Sequence, residues 1–143
     1  MNIKEVAEMF GLTVDTIRYY ERIGVIPPVT RDERGYRVFM KKDLNWVFLV
    51  KNLRNAGVSI ESLVDFAALS QIHGDERLAQ KDILRHQLAE LDEKLAEMTK
   101  TRDLLEYKIE TYDEHIAKFN NGEMTEDKIE KLWKMKHFNK SAK

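Results

Sequence analysis

The sequence of 143 residues contains no cysteine, two prolines and six glycines. The absence of cysteine excludes disulfides, thiolate metal sites and thiol redox chemistry. No apolar run approaches the roughly 20 residues that a membrane-spanning helix needs, and no apolar signal segment follows Met1. We therefore expect a cytoplasmic protein. The scarcity of proline and a charged fraction of 34% favour a mainly α-helical fold.

Charge is divided unevenly along the chain, although the net charge is only −1. Residues 1–57 hold 10 Lys and Arg against 7 Asp and Glu, a balance of +3, and residues 58–143 hold 14 against 18, a balance of −4. A local basic patch is the electrostatic feature that a nucleic-acid-binding domain needs. The N-terminal part is therefore the candidate for contact with DNA.

Residues 3–23 predict two short helices around a tight turn. Asn2 and Glu5 have the spacing of a capping box. Gly11 can end the first helix in the left-handed conformation, and Thr13 can cap the second. The pattern is that of a helix-turn-helix, whose second helix enters the DNA major groove.

The outward face of this second helix carries hydrogen-bond donors and aromatic rings. Arg and Tyr side chains can reach phosphates, and Thr can meet a base edge or a thymine methyl group. The alternative is a two-helix corner with a solvated polar face. The candidate DNA-contacting residues of this stretch are Thr13, Thr16, Arg18, Tyr19, Tyr20 and Arg22.

Three motifs together resemble the start of MerR-family transcription regulators: RYYERIGVIPP at 18–28, GYRVF at 35–39 and LRNAGVSIE at 53–61. The resemblance implies a winged helix-turn-helix over residues 1–71. It also implies a homodimer that binds an inverted repeat in double-stranded promoter DNA and distorts that DNA to control transcription, with RNA polymerase at the same promoter. Energy spent on distortion can give specificity at bases that the protein never touches.

Residues 29–39 predict a small β-hairpin around a polar turn, which would be the wing. An ordinary charged hairpin is the alternative, because Asp32 and Glu33 offset two of the cations. The resemblance assigns the wing to DNA, and it makes the next helix pair a second wing. The residues then expected at the DNA backbone are Arg31, Arg34, Tyr36 and Arg37, with Arg54 from the second wing.

Residues 76–120 predict one long helix with an apolar seam. From Leu84 to Phe119 the seam positions advance by 4 and 3 residues in turn, an average of 3.5, which is the coiled-coil period. One helix cannot bury such a stripe on itself, so we expect an antiparallel coiled coil with a second copy. Arg102 interrupts the seam and either fixes its register or extends outward along its own stem. The dimerisation residues are Leu84, Leu88, Leu91, Leu95, Met98, Leu105, Ile109, Tyr112 and Ile116.

The remaining segments offer little chemistry. Residues 125–138 predict a short C-terminal helix. The four histidines are dispersed and no carboxylate pair is placed for acid–base catalysis, so we expect no enzymatic activity, no cofactor and no metal. A small enzyme and a coiled-coil adaptor whose helix-turn-helix binds protein are the two alternatives to a DNA-binding regulator.

Within the MerR family, residues 50–57 most resemble the aldehyde-responsive branch, often called AdhR- or NmlR-like. The position where that branch carries its reactive cysteine is occupied by Asn52, and an amide cannot form a thioether or a disulfide. Any effector would therefore bind reversibly, at the junction of the long helix with the helix that contains Asn52. The candidate effector residues are Trp46, Asn52, Phe66 and His73.

Overall fold

The computed structural model describes residues 1–72 and 77–138. These residues form five α-helices followed by two short 3-10 turns. The helices are α1 (Ile3–Phe10), α2 (Val14–Ile23), α3 (Lys41–Asn55), α4 (Ile60–Leu69) and α5 (Arg77–Asn120), and the turns are Glu126–Lys128 and Leu132–Lys134. The mainly α-helical fold with an N-terminal helix-turn-helix and a long helix is confirmed.

Local capping signals define the helix-turn-helix. The Asn2 side chain accepts the Glu5 amide at 3.0 Å, and the Glu5 carboxylate accepts the Asn2 amide at 2.9 Å. Gly11 lies at φ 64°, in the left-handed region, and ends α1. The Thr13 hydroxyl accepts the Thr16 amide at 3.0 Å and begins α2. The predicted capping box, turn and cap are all present.

Residues 1–72 and 77–89 form one compact unit around an apolar core. The helix α3 begins where the carboxylate of the buried Asp43 accepts the Met40 amide at 2.8 Å. This helix contributes two of the side chains that are almost fully removed from solvent. The largest of these buried side chains are Val6, Ile17, Val25, Ile26, Val47 and Val50.

The wing, residues 29–39, is less regular than the predicted hairpin. A single β-bridge joins Arg31 to Arg37, and the Val38 amide donates to the Thr30 carbonyl at 2.7 Å. The Phe39 amide then bonds the Met1 carbonyl at 2.8 Å. The ladder is short because the chain leaves the hairpin at Phe39 to pair with the start of the chain.

Residues 90–138 form a second compact unit. The helix α5 has 44 residues and ends at Asn120, as the pattern predicted. The C-terminal segment differs from the single helix expected over 125–138, because it forms only the two 3-10 turns. A helix this short has little stability of its own, and contacts with α5 through Glu130, His137 and Phe138 determine its conformation instead.

None of the helices in the described ranges combines the length and the apolar character needed to cross a membrane.

Candidate nucleic-acid interface

An open cleft of about 600 Å³ lies where the start of α1, the outer side of α2 and the wing meet. Four cationic side chains and one carboxylate line this α1–wing cleft, so it has a net positive charge. Arg18, Tyr36 and Arg37, three of the predicted DNA-contacting residues, are brought together here. The full lining is Met1, Asn2, Ile3, Lys4, Arg18, Arg31, Asp32, Gly35, Tyr36, Arg37 and Val38.

Two further cations of the cleft are Arg31, which was expected as a phosphate contact of the wing, and Lys4, which was not predicted. Lys4 lies in the first turn of α1, and the Arg31 guanidinium donates to the Gly35 carbonyl at 2.9 Å. Arg31 carried a visible signal, because it is a cation of the predicted wing. Lys4 carried none, since its place beside the wing depends on how α1 packs in the folded unit.

The outward face of α2 carries most of the residues predicted for it. Thr13 and Thr16 share a hydroxyl–hydroxyl hydrogen bond of 2.7 Å at the start of the helix. Arg18 is exposed and approaches Asp15 at 3.4 Å. The Arg22 guanidinium lies 5.4 Å from the centre of the exposed Tyr19 ring. This face can therefore present hydroxyl, guanidinium and aromatic groups to a groove or a phosphate chain.

Among the residues predicted for this face, Tyr20 is buried. Its side chain is only 8% exposed and belongs to the hydrophobic core. Tyr20 follows Ile17 by three residues, and residues at this spacing share one face of a helix. Burial raises the pKa of the Tyr20 hydroxyl, and the charge of Arg54 opposes that effect. Tyr20 is thus a core residue, which still lines a shallow pocket together with Thr16, Tyr19 and Arg54.

Arg37 is not a free cation at the wing. Its Nε donates to the Glu21 carboxylate at 2.7 Å, and its side chain is only 18% exposed. Arg31 approaches the same oxygen of Glu21 at 3.5 Å, and the Val29 amide donates to the other. The phosphate contact predicted for Arg37 would share its guanidinium with Glu21.

The pKa of Glu21 lies below its ordinary value of 4.5. Burial alone would raise it, but the hydrogen bond from Val29 and the charges of Arg37 and Arg31 outweigh burial. The sequence offered one signal for this group. Glu21 lies four residues after Ile17, so it is near the inward side of α2, where a carboxylate requires cationic partners.

The predicted residues at the tip of the wing, Arg34 and Tyr36, are exposed to solvent. The Asp32 carboxylate accepts the Arg34 amide at 2.9 Å and the Tyr36 amide at 3.0 Å. These two bonds fix the turn while both side chains remain exposed. Arg54 differs, since its guanidinium donates to the Val58 carbonyl at 2.9 Å, just beyond the end of α3. A phosphate contact by Arg54 would share the guanidinium with this bond.

The predicted effector residues are only partly assembled. The Trp46 and Phe66 rings meet with centroids 5.4 Å apart. The Asn52 amide donates to the Phe48 carbonyl one turn earlier in α3, at 2.8 Å. His73 lies outside the described residues. Across the described ranges, no group of three or more His, Asp or Glu side chains could hold a metal ion.

The seam of α5 is an exposed apolar stripe. Arg102 lies along its own helix, 72% exposed and 3.4 Å from both Asp103 and Glu106, as an outward-extended side chain would. Leu91 is partly buried within the chain. The other predicted dimerisation residues are between 42% and 76% exposed: Leu84, Leu88, Leu95, Met98, Leu105, Ile109, Tyr112 and Ile116.

Two family models match the chain. One, described as "MerR HTH family regulatory protein", matches residues 1–68, and the other, "MerR, DNA binding", matches residues 44–107. Three curated relatives show the extent of the similarity. The regulator AdhR of Bacillus subtilis is 48% identical over 85 residues, which are 59% of this chain and 60% of AdhR. An "uncharacterized HTH-type transcriptional regulator" of Haemophilus influenzae is 36% identical over 112 residues, 78% of this chain and 82% of the relative. CueR of Salmonella typhimurium is 34% identical over 108 residues, 73% and 76% of the two chains.

Solved structures agree in fold. A MerR family transcriptional regulator from Listeria monocytogenes is 40% identical, with a TM-score of 0.76, and the match covers 87% of this chain and 99% of that one. The second is HiNmlR, described as "a MerR family regulator lacking the sensor domain, bound to promoter DNA". It is 34% identical, with a TM-score of 0.72 over 81% of this chain and 92% of that one.

Proposed function

This chain belongs to the MerR family of helix-turn-helix regulators, and we propose that it controls transcription by binding double-stranded promoter DNA as a homodimer. The observation that carries the proposal is the positively charged α1–wing cleft beside the outward face of α2. Its cations come from α1, α2 and the wing, three segments that only the folded unit brings together. HiNmlR, similar over four-fifths of this chain, is described as bound to promoter DNA.

In this proposal α2 enters the major groove and the wing lies along the flanking backbone. Thr13, Thr16 and Arg18 are at the N-terminal half of α2, which is the part of a recognition helix that faces base edges. Lys4 and Arg31 in the α1–wing cleft neutralise phosphates. Arg34 and Tyr36 extend this backbone contact at the wing tip.

The seam of α5 supplies the reason for a dimer. Monomeric proteins rarely leave a long contiguous apolar stripe in water, and the heptad spacing fits a partner helix. An antiparallel pairing of two α5 helices would set two α2 helices at a fixed separation, so the preferred site would be an inverted repeat. We further propose that the bound dimer distorts the promoter to align elements read by RNA polymerase, in the cytoplasm. The proposal includes no enzymatic step.

Selection of binding sites from random DNA, followed by affinity measurements at several salt concentrations, tests this function. The expected result is an inverted repeat and an affinity that falls steeply with salt, because each neutralised phosphate releases counterions. Recovery of no common sequence, with an affinity insensitive to salt, would favour the alternative of a helix-turn-helix that binds protein.

A further inference from the structure

We propose that Glu21 is a positioning residue for DNA binding, a carboxylate on the recognition helix whose role is to hold the wing in place against α2. The proposal rests on the DNA-binding function proposed above. Glu21 is absent from the lining of the α1–wing cleft. It would therefore act on DNA only through the groups that it holds.

Glu21 receives donors from both sides of the wing. One carboxylate oxygen accepts the Val29 amide, where the wing begins. The other takes Arg37 at 2.7 Å and Arg31 at 3.5 Å, the two residues joined by the β-bridge. A single side chain of α2 thus holds the start of the wing and both sides of its hairpin.

The charge of Glu21 is part of this role. Its side chain is only 13% exposed, so the carboxylate has given up most of its contact with water. Hydrogen bonds in which donor and acceptor are both ionised are roughly twice as strong as neutral ones. The pKa of Glu21 is lowered despite the opposing effect of burial, which agrees with a carboxylate that stays ionised between its partners.

The two ends of the wing are also held by the core, because Val29 and Phe39 are buried and the Phe39 amide bonds the Met1 carbonyl at 2.8 Å. Between these ends the wing contains one β-bridge rather than a ladder, and its turn is stabilised from within by Asp32.

Arg31, Tyr36 and Arg37 of the wing and Arg18 of α2 all line the α1–wing cleft. The bonds to Glu21 join the middle of the wing to α2, so they set where these wing side chains lie relative to Arg18.

The test depends on whether removing the charge of Glu21 strengthens or weakens DNA binding. Simple electrostatics predicts that removing a carboxylate from a DNA-binding surface strengthens binding. Positioning predicts the opposite for Glu21→Gln, which keeps the shape of the side chain and removes its charge. Glu33→Gln is the matched control, because Glu33 is an exposed carboxylate in the turn of the same wing.

DNA affinity is measured for both variants on the selected site. Glu21→Gln should weaken binding about tenfold, the effect of losing one hydrogen bond to a charged group, whereas Glu33→Gln should bind as tightly as the unaltered protein or more tightly. Arg37→Gln should cost less affinity in the Glu21→Gln background than in the unaltered protein, because only the contribution of Arg37 that acts through Glu21 is already lost. Equal or tighter binding by Glu21→Gln, or losses that simply add, would overturn the proposal.

A second measurement needs no DNA and separates this proposal from the function on which it rests. Hydrogen exchange at the Val29 amide should accelerate in Glu21→Gln and remain slow in Glu33→Gln. Should the unaltered protein fail to bind any DNA, the proposed function falls, and this exchange still decides whether Glu21 holds the wing. Unchanged protection of Val29 in a folded Glu21→Gln variant rejects the positioning role.

The pH profile gives a third readout. The folded-state pKa of Glu21 is lowered from 4.5, so the stabilisation that it provides is fully present above that value and is lost as pH falls through the folded-state pKa. Val29 exchange, corrected for the intrinsic pH dependence, should therefore differ between the unaltered protein and Glu21→Gln at neutral pH and converge in acid. A difference that is independent of pH would contradict a role of the charge.

Discussion

Tyr19 and Tyr20 are adjacent in α2 but differ in burial. Tyr20 packs into the core with Ile17, while Tyr19 is exposed beside Arg22. Successive side chains of a helix point about 100° apart. One of two neighbouring residues can therefore stabilise the core while the other is available for binding.

Replacing each tyrosine by alanine should reveal this division. Tyr20→Ala should lower the free energy of unfolding by about 3–5 kcal/mol, because it leaves a large cavity in the core. Tyr19→Ala should change it by no more than about 0.5 kcal/mol, as is usual for surface substitutions. Urea unfolding at one fixed protein concentration makes the comparison, and equal losses would show that Tyr20 is not a core residue.

Arg18 is the α2 cation that lies in the α1–wing cleft, and its substitution tests the reading face directly. Arg18→Ala should weaken DNA binding by about 1–3 kcal/mol with relaxed preference at one base, if the guanidinium reads a base edge. A phosphate contact would instead weaken binding to all sequences alike and lower the salt slope by about 1.

Arg85→Ala is the control for Arg18→Ala. Arg85 is also exposed and also pairs with an aspartate three residues earlier, Asp82, at 3.6 Å, but it lies in α5 outside the cleft. Its loss should leave DNA affinity nearly unchanged. If the two variants bind alike, the face of α2 that carries Arg18 does not meet DNA.

At the scale of elements, the separation of two interacting residues along the sequence decides whether the sequence could predict their contact. The capping box of α1 and the cap of α2 involve residues three apart, so a local pattern predicts them. Glu21 and Arg37 are sixteen residues apart, and only the packing of the wing onto α2 brings them together. The cleft position of Lys4 was missed for the same reason.

The C-terminal segment shows how tertiary contacts can override a helical pattern. The Tyr107 hydroxyl of α5 donates to Glu130, and His115 approaches the same carboxylate at 3.7 Å. The Tyr107 ring also meets Phe138, with centroids 5.7 Å apart. The hydrogen bond to Glu130 raises the pKa of Tyr107. These contacts hold Glu130 and Phe138 against α5, and the segment adopts two 3-10 turns rather than one continuous helix.

Tyr107→Phe should loosen this segment while α5 remains helical, because the variant keeps the ring and removes only the bond to Glu130. Limited proteolysis should then cleave residues 123–138 faster than in the unaltered protein. Tyr112→Phe is the control, since Tyr112 is an exposed tyrosine of the seam in the same helix. Identical cleavage in the two variants would mean that the Tyr107 hydroxyl does not anchor the segment.

At the scale of the whole molecule, the absence of cysteine limits how a signal could reach the DNA-binding unit. Diamide reacts with thiols, so it should leave the DNA affinity of this protein unchanged. Asn52→Cys places a thiol at an exposed position of α3 and should create a diamide-sensitive variant. A clear response of the unaltered protein would contradict the prediction, because its 143 residues contain no thiol.

The last prediction concerns the assembly, whose proposed contact is the seam of α5. Leu91→Asp combined with Leu95→Asp places two carboxylates in each copy of the seam, and each buried unpaired charge costs several kcal/mol. Sedimentation should show monomers, and affinity for the inverted repeat should collapse because the two α2 helices are no longer held at a fixed separation.

Ala89→Asp combined with Ala96→Asp is the matched control for the seam variant. It adds the same charge to the same helix at two exposed positions, each one residue after a seam position and therefore off the stripe. This control should remain a dimer and retain its DNA affinity. If the variant with both seam substitutions is still a dimer, the proposed coiled-coil contact is wrong. If both variants are monomers, added charge on α5 rather than loss of the seam disrupts the dimer.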